Sequence, residues 1–171
     1  MTQPNPTAAT PIDHAPNQAA SLAQPLYGAG FGTSIKRFFK KYATFSGRAS
    51  RSEYWWVALF NFLVYIVLTA VMIAGAVATM DPTTGEPGGG ILTGTLLYCL
   101  FGLAVIIPSI ALGIRRLHDA NFSGWFILLN LVPFFGQVAV IVMMLLPANP
   151  QGARFDDGYQ PGAQYGGYPA S

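Results

Sequence analysis

Only 9% of this 171-residue chain is charged, against roughly a quarter in an ordinary soluble domain. The residues able to do chemistry therefore fall in two short stretches. One is Arg48-Ala49-Ser50-Arg51-Ser52-Glu53, and the other is Arg115-Arg116-Leu117-His118-Asp119. His118 beside Asp119 invites a metal site, but such a site needs three or four ligands. The other histidine is His14, far upstream, and Glu53 and Asp119 together add only two carboxylates. Cys99 is the one cysteine, so thiolate ligation and an internal disulfide are excluded. A Ser–His–Asp set could draw on Ser50, Ser109 or Ser123, yet no G-x-S-x-G elbow is present. No phosphate-cradling glycine motif occurs either. The expectation is no catalytic residue, no metal and no cofactor.

The same residues suit ion pairing better. Arg115 and Arg116 precede Asp119 by four and three positions, so one helical turn would bring them together. Ser50-Arg51-Ser52-Glu53 has the form of a capping box, which predicts a helix start. Glu53 is further expected to bridge to Arg115 or Arg116, tying the second stretch to the first.

The elements that position these residues are apolar. Residues 57–80, 91–112 and 126–146 contain no Lys, Arg, Asp or Glu. About 20 such residues cross a bilayer as a helix. The predicted fold is an all-α integral membrane protein with three transmembrane helices. Asp81-Pro82 and Glu86-Pro87-Gly88 break the chain between the first two runs, and Pro147 ends the third. Tyr54, Trp55, Trp56 and Trp125 sit at the mouths of runs, where amphipathic rings favour the headgroup level. Lys and Arg cluster before the first run and in the second loop. Counting them puts the N-terminus in the cytoplasm and the C-terminus outside. The C-terminal half of that expectation requires the third run to cross completely, and Pro133 would also suit a re-entrant hairpin.

Before the first run, Phe31, Ile35, Phe38, Phe39 and Tyr42 recur at helical spacing, with Lys36, Arg37, Lys40 and Lys41 on the other side. The spacing predicts a basic amphipathic helix over 33–42, capped by Thr33 or Ser34. It would lie in the membrane interface with those four cations on anionic headgroups. Residues 1–30, rich in Pro, Ala and Gln, and residues 156–171, rich in Gly, Tyr and Pro, read as disordered tails around a membrane domain at 31–155. Net charge is +2, too small to suggest nucleic acid.

The topology also collects uncharged polar residues. Asn61, Ser109 and Asn130 are expected at similar depth, just below a cytoplasmic-face cluster of Arg48, Arg51, Glu53, Arg115, Arg116, His118 and Asp119. Such groups act as interhelical glue or line a ligand site. Ala70, Ala74 and Ala78 offer a small-residue stripe for close helix approach, within one chain or in a homo-oligomer.

Phe45-Ser46-Gly47-Arg48-Ala49-Ser50-Arg51-Ser52-Glu53-Tyr54-Trp55 resembles the opening signature of a bacterial inner-membrane family catalogued as domain of unknown function 805. Arg115-Arg116-Leu117-His118-Asp119 followed by Trp125 is similar to its second signature, and Pro150-Gln151-Gly152-Ala153-Arg154-Phe155 to its closing segment. There an Asn commonly precedes the aromatic, where this chain has Arg154. The resemblance covers roughly residues 38–157 and implies a location, the bacterial inner membrane, but no reaction. A non-enzymatic accessory or scaffold protein is the expected function, with a subunit of an oligomeric channel or transporter as the alternative.

Overall fold

A computed structural model describes residues 22, 24–156 and 159, and among them only helices, turns and irregular segments occur. Helix α1 spans Phe31–Lys40, α2 Arg51–Ala78, α3 Gly90–Asp119 and α4 Phe135–Leu145. Two 3₁₀ segments, Gly124–Leu131 and Pro150–Phe155, flank α4.

The capping box forms as its sequence predicts. Ser50 Oγ accepts from the Glu53 amide and Glu53 reaches back to the Ser50 amide, so α2 starts at Arg51. With 28 and 30 residues, α2 and α3 are each about 40–45 Å long, more than the hydrocarbon thickness. Both are long and apolar enough to cross a membrane. Their outward side chains are apolar and uncovered, Leu92 and Leu103 being 72% and 68% exposed. A wet surface of that kind would be an aggregation hazard, whereas lipid accepts it.

The two helices run antiparallel and approach through glycine. A Cβ at Gly94 would stand 2.4 Å from Met72 Cα, and one at Gly90 2.1 Å from Gly75 O. Pro108 lies buried inside α3. It has no N–H for the carbonyl four residues back, that of Ala104. The Tyr42 hydroxyl donates to that carbonyl at 2.8 Å, which satisfies it and pins the end of α1 to α3.

The third apolar run departs from expectation. It is not one helix. Gly124–Leu131 is a 3₁₀ limb of 8 residues, and α4 is a limb of 11. Each covers about 16 Å, roughly half a hydrocarbon core. Pro133 disfavours helical geometry at the residue before it, and Phe134 takes the left-handed φ of 63° at the bend. Gly136 then allows the limbs to touch, since a Cβ there would meet Leu129 O at 1.8 Å. The chain returns to the end it left: the Asn149 amide donates to Asp119 O at 2.8 Å and the Gly47 amide to Phe155 O at 2.9 Å. The expected third transmembrane helix is thus a helical hairpin. With it goes the geometric basis for placing the C-terminus across the bilayer from the N-terminus.

The basic helix is also corrected. It begins two residues early, with Gly30 as its N-cap. Ser34 lies inside it, its hydroxyl donating to Gly30 O at 2.9 Å. Phe38 is buried with Ala49, Val57, Val105 and Leu112, so the apolar face packs on the protein's own helices. Arg37 and Lys41 are only 7% and 3% exposed, so neither is free to lie on headgroups as Lys36 and Lys40 are. The four cations do not form one outward face.

Candidate functional site

Where α2 begins and α3 ends, five segments meet around buried charge. Glu53, 3% exposed, is held from three directions. Its Oε1 accepts from Arg37 Nε on α1. Its Oε2 accepts from the Ser50 amide at 3.0 Å and the Leu26 amide at 3.2 Å. The expected bridge from Glu53 to Arg115 or Arg116 does not form, because α1 brings Arg37 to the carboxylate instead.

Arg116 pairs with Asp119 at 2.9 Å, as their three-residue spacing predicts, and both are 0% exposed. Arg116 also donates from Nε to Met144 O at 3.2 Å and from Nη2 to Leu146 O. The last carbonyls of a helix lack partners within it, so one guanidinium closes the end of α4 while pairing with α3. Asp119 further accepts from the Tyr27 hydroxyl at 2.8 Å. Burial pushes its carboxyl up from the ordinary carboxylate range, while Tyr27 and then Arg116 hold it down.

Arg48 forms the third pair, with Asp156 from beyond the last 3₁₀ turn, Nη2 to Oδ2 at 2.5 Å. The His118 ring stacks on Phe155 with centroids 4.0 Å apart and 5° between planes. His118 Nδ1 lies 3.1 Å from Gly47 O, and a carbonyl only accepts, so Nδ1 carries the proton. Burial lowers the imidazole pKa, which keeps this ring neutral near pH 7.

Two cations stand apart. Arg115, 1% exposed, donates from Nε to Ala111 O at 3.2 Å, and its Nη2 is buried without a partner. Lys41 has no carboxylate within 4 Å among the described residues. Burial, then the neighbouring Arg115 and Arg37, lowers its ammonium to about 8, with Glu53 and Asp156 opposing. Burial likewise lowers Arg115, to about 10, against the pull of Glu53. For Lys41 the sign is unfavourable to folding below about 8 and is relieved as pH rises from there toward 10.5.

The other sequence-derived candidates are less connected. Arg51 is exposed and lines an open groove of about 460 Å³ with Ser52, Trp55, Trp56, Leu59 and Leu145. Asn61 Oδ1 is buried without a partner. Ser109 is half-buried, and Asn130 is exposed with its amide on Ile127 O at 3.1 Å. Among the described residues no group of three His, Cys, Asp or Glu could hold a metal ion.

Sequence reasoning missed the upstream segment. Residues 24–30, expected within a disordered tail, lie on the site: Leu26 O accepts from Ser50 Oγ at 2.6 Å and Ser52 Oγ accepts from the Ala29 amide at 3.0 Å. The remainder of both expected tails, apart from residues 22, 156 and 159, lies outside the described residues. Leu26 and Tyr27, two adjacent bulky side chains between Pro25 and Gly28 in a tract rich in Pro, Ala and Gln, were the available signal.

The family model described as "Protein of unknown function (DUF805)" matches residues 42–157. The Inner membrane protein YhaH of Escherichia coli K12 is 36% identical over 119 residues, which cover 70% of this chain and 89% of that protein. The Inner membrane protein YhaI of the same strain is 38% identical over 104 residues, 60% of this chain and 75% of that protein. No solved structure matches. The matched stretch contains Arg48, Glu53, Arg115, Arg116, Asp119 and Asp156, while Tyr27, Arg37 and Lys41 lie upstream of it.

Proposed function

The chain belongs to the DUF805 family of unknown function, and on that premise we propose that it is a non-enzymatic accessory or scaffold protein of a bacterial inner membrane. Its folded face is the charged knot. One observation carries this reading: the knot's carboxylates and its histidine are engaged by the chain itself. Glu53 holds three donors, Asp119 pairs with Arg116 and Tyr27, and His118 is fixed by Gly47 and Phe155. Acid–base or nucleophilic catalysis needs such groups within reach of a substrate. A knot that joins five segments instead gives a rigid platform beside the membrane.

In this reading the knot faces the cytoplasm, because its arginines and lysines border the ends of α2 and α3 while the opposite loop has only Asp81 and Glu86. The hairpin is re-entrant, so residues 150–156 are cytoplasmic too. Single cysteines in a Cys99→Ser background test this in intact cells. Thr84→Cys should react with an impermeant thiol reagent, and Gln151→Cys should react only after permeabilisation. Labelling of Gln151→Cys in intact cells would show that the third run crosses.

The second reading, a subunit of an oligomeric channel or transporter, has one observation in its favour: Ala70, Ala74 and Ala78 are exposed on α2, open to another helix. Flux separates the two. Proteoliposomes of the purified full chain should pass ions and small solutes no faster than empty vesicles, and flux clearly above that control would replace the scaffold reading.

A further inference from the structure

The charged knot is not balanced. Five basic side chains are buried there, Arg37, Lys41, Arg48, Arg115 and Arg116. Among the described residues three carboxylates answer them, on Glu53, Asp119 and Asp156, each in its own pair. Lys41 and Arg115 are left, and each follows by three residues a member of one buried cluster, Phe38 and Leu112, which brings the two to the same corner; the charge on Arg115 accordingly opposes protonation of Lys41. The Ala49 amide ties the segment between α1 and α2 to the end of α3 by donating to Arg115 O at 3.0 Å. An isolated buried charge is strongly unfavourable, and two of one sign side by side are worse. Arg115 Nη2 adds a directional clue: a buried, unpartnered donor at a residue 1% exposed.

We propose that Lys41 and Arg115 together bind a phosphate group. The chemistry fits the pair. A guanidinium presents parallel N–H donors in a plane, an ammonium adds a compact charge, and phosphate oxygens accept from both. A phosphate monoester near neutral pH carries close to two negative charges, matching the two cations left over. A carboxylate would offset only one. The group can come from a lipid headgroup, since the site borders the membrane end of α3, or from a soluble phosphate compound.

The experiment uses the full chain in a maltoside detergent and phosphate-free buffer, with melting temperature as the readout. One arm titrates inorganic phosphate against chloride at matched ionic strength. The other adds stoichiometric phosphatidic acid against phosphatidylcholine. At about ten times the dissociation constant, either source should raise the melting temperature by about 4 °C. A response in the first arm alone assigns a soluble phosphate, and one in the second alone a lipid headgroup. Lys41→Met should melt higher than the native chain without phosphate, because it removes an uncompensated charge, and should lose the phosphate increment. Arg115→Lys, which keeps the charge but not the fork, should keep a reduced increment. No response in either arm overturns the proposal. So does an increment that survives Lys41→Met. Destabilisation by Asp157→Asn in a chain that ignores phosphate would assign the balancing charge to the chain itself, and would overturn it as well.

Discussion

Replacing Glu53 with alanine is expected to lower the stability of the detergent-solubilised protein by about 3–5 kcal/mol. Losing a helix cap alone costs about 1 kcal/mol. The larger figure follows from what the carboxylate holds. Arg37, 7% exposed, would lose the carboxylate that offsets its buried charge. The Leu26 and Ser50 amides would lose their acceptor in a region with little water to replace it. Three segments would loosen together: the irregular segment before α1, α1 itself and the start of α2. Removing the stranded charge as well separates the contributions. Arg37→Met in the Glu53→Ala background should recover part of the loss, since a buried cation leaves together with its carboxylate. Thermal melts of the two single variants and the double variant measure this. A loss near 1 kcal/mol for Glu53→Ala, with no recovery in the double variant, would make Glu53 a helix cap and nothing more.

How far the sequence alone reaches is set by the range of the interactions. The capping box was legible because Ser50 and Glu53 are three residues apart and act on each other's amides. The Arg116–Asp119 pair was legible for the same reason. The partner of Glu53 was not. It depends on α1 carrying Arg37 inward beside the buried Phe38, and amphipathic spacing places Arg37 and Lys41 on the polar side without saying what they meet. Here they meet a carboxylate from α2 and an arginine from α3, so two of four cations are buried among charges rather than resting on lipid.

The third apolar run shows the opposite limit. Its composition passes the test for a span, and hydropathy cannot distinguish one crossing from two half-crossings. The deciding residues are few: Pro133, which disfavours helix at the position before it, and Gly136, which lets the limbs meet. A lone proline inside a span is common and tolerated, as Pro108 is in α3, where Tyr42 satisfies the freed carbonyl. What distinguishes Pro133 is its surroundings. The bend continues through Phe134 with its positive φ, and the far limb ends on Arg116, a residue supplied by the end of α3.

That last contact sets the other large effect. Arg116→Met is expected to cost about 3–5 kcal/mol, the range for breaking one side of a buried pair. Methionine keeps the apolar stem and removes every donor. The Met144 and Leu146 carbonyls lose the group that closes α4, and among the described residues Asp119, 0% exposed, keeps only the Tyr27 hydroxyl as a side-chain donor. The variant then has a signature beyond its size. Burial already raises the Asp119 carboxyl, and without Arg116 it rises further, so the folded state takes up a proton more readily than the unfolded chain. A carboxyl whose folded pKa is raised opposes folding when ionised, and that opposition fades as pH falls. The deficit of Arg116→Met against the native chain should therefore shrink in mildly acidic buffer. Asp119→Asn in the same background should recover part of the loss at neutral pH and remove the pH dependence. Denaturation of both variants across pH measures it. A pH-independent deficit, unchanged by Asp119→Asn, would mean that Arg116 acts on α4 alone and that its pairing with Asp119 contributes nothing.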